Sequence, residues 1–169
     1  LAARCAAKIL IRKAGFFMGE YIMDMRKRVG PIPLMQCGAS VIVLDGQNRL
    51  LLQRRKDNGM WGYAGGAVEL YERGEDAAAR ELREETGLIA DQLELLDVFS
   101  GPELRYTYPN GDQVSIVDIV YLCRKYHGQL RPQPEEVTEL AFFSPDRLPD
   151  NLFTTQLPAL DAVRNLLKK

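Results

Sequence analysis

Residues 66–88 read GAVELYERGEDAAARELREETGL. From Glu72 to Thr86 nearly every residue favours helix, with Ala77, Ala78, Ala79 and Leu82 and neither Gly nor Pro after Gly74. Gly87 stands where a glycine closes a helix. On that helix Glu81, Glu84 and Glu85 fall at i, i+3 and i+4, so their carboxylates share one face, while Ala78 and Leu82 turn toward a sheet. Like charges so arranged repel one another, and an isolated helix avoids them unless a cation offsets the cost. All-oxygen donors of high charge suit a hard divalent ion, Mg²⁺ or Mn²⁺, which keeps waters and bridges to phosphate oxygens. Zinc does not suit them, because His127 is the sole histidine and no cysteine lies in the cluster. A divalent ion between carboxylates and a diphosphate neutralises charge, aligns phosphorus for attack and acidifies a bound water. A neighbouring glutamate can take that water's proton. Glu81 is placed for this or for a further ligand, and spacing does not separate the two roles.

Upstream, Gln36–Leu44 and Arg49–Arg55 flank Asp45-Gly46-Gln47-Asn48 and read as a hairpin about an Asp-Gly turn. After the loop Asp57-Asn58-Gly59, Met60–Val68 reads as a strand in which Gly62, Gly65 and Gly66 mark close backbone approach. Downstream, Leu93–Ser100, Arg105–Tyr108, Gln113–Arg124 and Glu139–Ser144 read as strands, the second and third joined by the turn Pro109-Asn110-Gly111-Asp112. Tyr21–Val29 predicts a short helix stopped by Gly30-Pro31. Thr154–Leu167 predicts a terminal helix with Leu157, Leu160, Val163, Leu166 and Leu167 on one face. This order indicates an α/β sandwich with a mixed or antiparallel sheet.

The 169 residues, 46% hydrophobic, suffice for one core, and no repeat or linker divides them. With 22 basic and 23 acidic residues the chain has no field to hold a polyanion, so duplex nucleic acid is excluded as a main partner. No apolar run is long enough to span a bilayer, so no membrane partner is expected. Cys5, Cys37 and Cys123 form no C-x-x-C pair and fit reduced thiols in a cytoplasmic protein. Residues 1–19 carry Arg4, Lys8, Arg12 and Lys13 with no acid before Glu20, yet lack an apolar segment with a small-residue cleavage site. Met18 is the expected natural start, with an extension ahead of it.

Gly66–Leu88 resembles the Nudix box, G-x5-E-x7-R-E-U-x-E-E-x-G-U with U a bulky aliphatic residue, at every specified position. From residue frequencies, a chance match has odds on the order of 10⁻⁷. The likeness extends to Trp61-Gly62, Gly65-Gly66, the TYPNGD stretch and the AFFS strand, and so covers roughly Gln36–Leu167. It implies a Nudix-type α/β/α sandwich with a mixed central sheet, as a single domain over 34–169 behind an N-terminal extension, 1–33. It also implies a Mg²⁺-dependent pyrophosphohydrolase, with Mn²⁺ as substitute, cleaving the P–O–P bond of a small nucleotide: a nucleoside triphosphate, ADP-ribose or nucleotide sugar, or a dinucleotide.

Carried across position by position, the resemblance makes Glu81, Glu84 and Glu85 metal ligands or activators of water and the Gly66 carbonyl a further ligand. Arg80 would orient the acids, with Glu72, Gly65 and Gly87 as support. A further acid outside the box often joins this site, and among Glu135, Glu136 and Glu139 the preferred candidate is Glu136. Arg54, with Arg55 and Lys56 beside it, Tyr71 and Tyr106 are candidate substrate contacts, against the plainer readings of an exposed basic strand end for the three cations and core packing for Tyr106. Two positions depart from the commonest family text: Ala64 stands where proline is frequent and Tyr71 where glycine is usual. If position 71 requires φ > 0, tyrosine there costs free energy. Family habit suggests a homodimer. The alternative function is a non-catalytic nucleotide-sensing module, which loss of box acids would signal, and none is lost.

Overall fold

The computed structural model describes residues 20–168, so the expectations for Met18 and Cys5 fall outside the described residues. Helix α1 (Glu20–Val29) ends as the Gly-Pro breaker requires, with Gly30 at φ 73° and its amide bonded to the Arg26 carbonyl at 2.9 Å. It docks on the sheet: Ile22 packs with Tyr108 and Val114, and Arg26 meets Asp112 at 3.2 Å.

Strands β1 (Leu34–Val43) and β2 (Leu50–Arg55) do not form the expected hairpin ladder. Only Leu44 and Leu50 pair across the turn. Asp45 Oδ1 accepts the amides of Gln47 and Arg49 at 2.9 and 2.8 Å, and the left-handed residue is Asn48 (φ 57°) rather than Gly46. The two-residue Asp-Gly turn needs positive φ at the glycine, so this wider turn releases the strands into different sheets. The expected strand over Met60–Val68 likewise divides into β3 (Trp61–Gly62) and β4 (Ala64–Ala67).

One sheet runs β4-β1-β7-β5, where β5 is Leu88–Phe99 and β7 is Gln113–Gly128, with β6 (Arg105–Thr107) also on β7. It is mixed, because β1 and β7 are parallel and the other pairs antiparallel. The turn between β6 and β7 closes as its sequence predicts, with Gly111 at φ 88°. The second sheet is β3-β2-β8, with β8 at Val137–Phe143.

The sheets splay about two cores. Ala39, Val41, Val43 and Leu51 pack with Ala77, Ala78 and Leu82 of α2 (Gly74–Thr86). The alternate strand residues Ile42, Leu44, Leu50 and Leu52 pack with Trp61 and with Leu160 and Val163 of α3 (Leu157–Leu167). Strand alternation therefore gives each helix one face, which makes the α/β/α sandwich. Full burial of a side chain such as Leu82 contributes roughly 1.5–3 kcal/mol. Of the face expected on α3, Leu157 and Leu166 lie largely exposed at the rim. No helix among the described residues is long and apolar enough to cross a membrane.

Candidate active site

Helix α2 begins two residues later than its propensity predicts, which leaves Glu72 in the preceding turn facing Arg80. The Arg80 guanidinium grips both Glu72 oxygens, from Nε at 2.8 Å and Nη2 at 3.0 Å. Its Nη1 donates to Glu81 Oε1 at 2.5 Å and to Glu84 Oε2 at 3.4 Å, and Nη2 to the Ala67 carbonyl at 3.2 Å. Hydrogen bonding to Glu72 foremost, with Glu81 adding to it, holds the Arg80 proton more tightly than usual. The same bond lowers the Glu72 pKa. Glu72 Oε2 also accepts the Glu69 amide at 3.0 Å and so fixes the turn over 69–72. Within that turn Tyr71 has φ 67° and a fully exposed side chain. Position 71 thus does require left-handed backbone, at a cost of roughly 1–2 kcal/mol for a residue with a Cβ.

The paired glycines of β4 are explained by what lies against them. A Cβ on Gly66 would meet Glu81 Oε1 at 2.5 Å, so the carboxylate rests directly over this backbone. A Cβ on Gly65 would meet Ser40 Oγ at 2.2 Å and Ser40 Cα at 2.8 Å. At the other end of α2, Gly87 (φ 77°) closes the helix with its amide on the Arg83 carbonyl.

Glu85 departs from the one-face expectation. Glu81 and Glu84 converge on Arg80, whereas Glu85 turns behind Gly65, only 3% exposed, and accepts the Gly65 amide at 2.8 Å. Burial chiefly, and then the charges of Glu81 and Glu136, push its pKa well above the usual carboxylate range. Of the three later acids it is therefore Glu136 whose charge reaches this group. Glu135 and Glu139 are exposed, and Glu139 sits opposite Arg54 on the neighbouring strand.

Among the described residues no three acidic, histidine or cysteine side chains stand gathered as a metal site. The donor chemistry nevertheless fits a hard cation. The Glu81 and Glu84 carboxylates already converge on one positively charged nitrogen, and the charges of Glu81 and Glu136 both reach the buried Glu85.

The substrate candidates fare differently. Arg54 lies exposed on its strand, with Nε 3.3 Å from the Gly59 carbonyl. Strand alternation instead turns Gln53 and Arg55 toward α2: Gln53 bonds Glu85, and the half-buried Arg55 lies within the field of Glu85, paired with Asp57 and 5.1 Å over the Phe153 ring. Tyr106 joins an aromatic cluster, edge-on to Tyr108 at 4.9 Å and to Phe153 at 4.8 Å, and accepts a bond from Asn58 at 3.2 Å. Through Phe153 and Arg55 this cluster connects to the acids. Tyr71 points away into solvent.

A sequence model of the NUDIX domain matches residues 35–163. The chain belongs to the Nudix family. It is 33% identical over 125 residues to an ADP-ribose pyrophosphatase of Methanocaldococcus jannaschii, covering 72% of this chain and 70% of that one. It is 32% identical over 132 residues to a MutT-like protein of Streptomyces ambofaciens, covering 78% of each. Its fold overlays a MutT NUDIX hydrolase from Burkholderia pseudomallei with a TM-score of 0.66 at 31% identity, over 76% of this chain and 98% of that one.

Two polar features of this Nudix domain have no signal in the sequence. Asp118 is buried on β7, where its carboxylate accepts bonds from Ser40 Oγ at 2.8 Å and Tyr63 Oη at 3.3 Å. Burial raises its pKa to about 6. Gln156 holds the residue between β3 and β4: its Oε1 accepts the Tyr63 amide at 2.7 Å and its Nε2 donates to the Tyr63 carbonyl at 3.1 Å. Both clusters form between residues far apart in sequence, so no local pattern announces them.

Proposed function

We propose that this Nudix hydrolase cleaves, with Mg²⁺, the P–O–P bond of a nucleoside diphosphate linked to a further group. The observation that carries the reading is the arrangement about Gly66: a side-chain-free backbone, the Glu81 carboxylate against it, and Glu84 meeting Glu81 at Arg80. Glu81, Glu84 and the Gly66 carbonyl would hold the cation, with Glu85 and Glu136 behind them. When bound, Mg²⁺ neutralises the diphosphate and activates water.

The protein's own groups do the rest. Arg80 keeps Glu81 and Glu84 convergent and answers to Glu72, so the turn over 69–72 and the helix hold the acids as one unit. Glu81 accepts the water proton from its position over Gly66. Glu85 stands behind it, where burial first and then the charges of Glu81 and Glu136 raise its affinity for a proton. Arg55 offers a cation for the nucleoside side and Tyr106, the half-buried ring of its cluster, a stacking surface, with the buried Tyr108 and Phe153 holding that ring in place.

The test is product release from nucleoside triphosphates, ADP-ribose, nucleotide sugars and dinucleotides, with and without Mg²⁺. Turnover should require the metal and fall at least 10²-fold in Glu84→Gln and in Glu85→Gln. Unchanged turnover in both variants would rule the mechanism out.

A further inference from the structure

Next to the acidic cluster, a cleft of about 750 Å³ opens between the C-terminal end of α2 and the segment 129–134 leading from β7 toward β8. Arg83, Glu84, Gln129, Arg131 and Gln133 line it. We infer that this cleft receives the far end of the substrate, beyond the scissile diphosphate, and that this end is an anionic phosphate rather than a neutral sugar. The inference rests on the diphosphate reading above and goes on to name the class of leaving group.

Continuity gives the direction. Glu84 both meets Arg80 in the acidic cluster and lines the cleft, so a diphosphate held at Glu84 extends into it. Charge gives the class. The exposed Arg83 and Arg131 have no hydrogen bond or ion pair from their side chains among the described residues, and a guanidinium fork matches phosphate oxygens two at a time. Gln133 Oε1 is buried without a partner, and rotating its amide would present an N–H donor instead. Against the single carboxylate of Glu84 the lining sets two guanidinium groups, and the two glutamine amides can present either face, so the positive charge favours an anion over a neutral sugar.

A helix C-terminus ordinarily repels anions. Here the last carbonyls are already satisfied: the Gly87 amide bonds Arg83 O at 3.0 Å, the Arg131 amide bonds Thr86 O at 2.8 Å, and the Gln133 amide approaches Glu85 O at 3.3 Å. These main-chain bonds also build the cleft wall without the arginine side chains, so replacing those side chains leaves the wall standing.

Two measurements test the inference. In the first, kcat/KM is determined with Mg²⁺ for a nucleoside triphosphate and for a nucleoside diphosphate sugar, in the parent chain and in Arg83→Gln, Arg83→Lys and Arg131→Gln. The ratio of triphosphate to sugar should fall about tenfold or more in each glutamine variant and recover in part with lysine, which keeps the charge. In the second, inorganic pyrophosphate is titrated while the amide resonances of Gly87, Gln129 and Arg131 are followed by NMR. Saturable shifts should appear and disappear in the Arg83→Gln/Arg131→Gln double variant. An unchanged ratio, or shifts that survive the double substitution, would overturn the inference while leaving the diphosphate reading intact. Pyrophosphate shifts lost in the double variant, with no turnover of any diphosphate, would retain the cleft as a phosphate site and sink the hydrolytic reading instead.

Discussion

Gly65 and Gly66 adjoin in β4, yet alanine at the two positions should fail for opposite reasons. Neither has positive φ, so backbone conformation forbids neither substitution and only space decides. At Gly65 the added carbon lies 2.2 Å from Ser40 Oγ, 2.6 Å from Ser40 Cβ and 2.8 Å from Ser40 Cα. The last atom is backbone of the paired strand, so β1 and β4 must part, and overpacking of this kind costs about 1–3 kcal/mol. At Gly66 all three close atoms, at 2.5, 2.6 and 2.9 Å, belong to the Glu81 carboxylate, the far end of a flexible side chain. It can swing aside by giving up its bond to Arg80, at a cost of about 1 kcal/mol that is partly offset by the reduced freedom of alanine in the unfolded chain. The swing removes Glu81 from its place, and a displacement of about 1 Å in a reacting group can cost on the order of 10²-fold in rate. Gly65→Ala should therefore lower the guanidinium midpoint, and the Tm by ~2–4 °C per kcal/mol. Gly66→Ala should unfold almost as the parent does while losing Mg²⁺-dependent turnover about a hundredfold. Turnover within a few-fold of the parent in Gly66→Ala, or equal destabilisation by the two substitutions, would refute the reasoning.

Tyr71→Gly relieves left-handed strain of roughly 1–2 kcal/mol against ~0.4–1 kcal/mol of added freedom in the unfolded chain, so denaturant titration should show a net gain of about 0.5–1 kcal/mol. A loss of stability would mean that Tyr71 makes a contact outweighing its strain. Asp118 has a folded pKa of about 6 against an ordinary 3.8, so the native chain holds a proton that the unfolded chain releases between those values. Its contribution is present at low pH and lost as pH rises through about 6, so the stability of the parent relative to Asp118→Asn should fall by about 2–2.5 kcal/mol from pH 4 to pH 7. A difference that stays flat across that range would refute the assignment.

What was legible in the sequence was mostly local. Helix α2, its glycine cap and the turn over 109–112 follow from neighbouring residues, and even the demand for left-handed backbone at Tyr71 was visible in the departure from family text. Pairing was not legible. The Asp45 turn looks like a hairpin because its polar residues are those of a hairpin, but whether the flanking strands continue together depends on distant partners, β7 for one and β8 for the other. Side-chain direction failed for the same reason. Arg54 and Arg55 are equivalent in composition, and only strand register sends one outward and the other toward Glu85. The i, i+3, i+4 spacing put Glu85 beside Glu84 but could not show that the Gly65 amide would hold it inward. Glu136 was already the preferred later acid in the sequence, but which buried group its charge reaches depends on where β8 begins.

The clasp of Gln156 on Tyr63 has a consequence for the protein's life outside the folded ground state. The passage from one sheet to the other is secured by a side chain that sits immediately before α3. Peeling that helix away, by heat, by a protease working from the C-terminal side or by a partner that captures it, withdraws both hydrogen bonds together and frees the segment just ahead of the glycine pair. The Tyr63 amide should therefore exchange its hydrogen in step with the opening of α3 rather than with the fraying of the strands beside it.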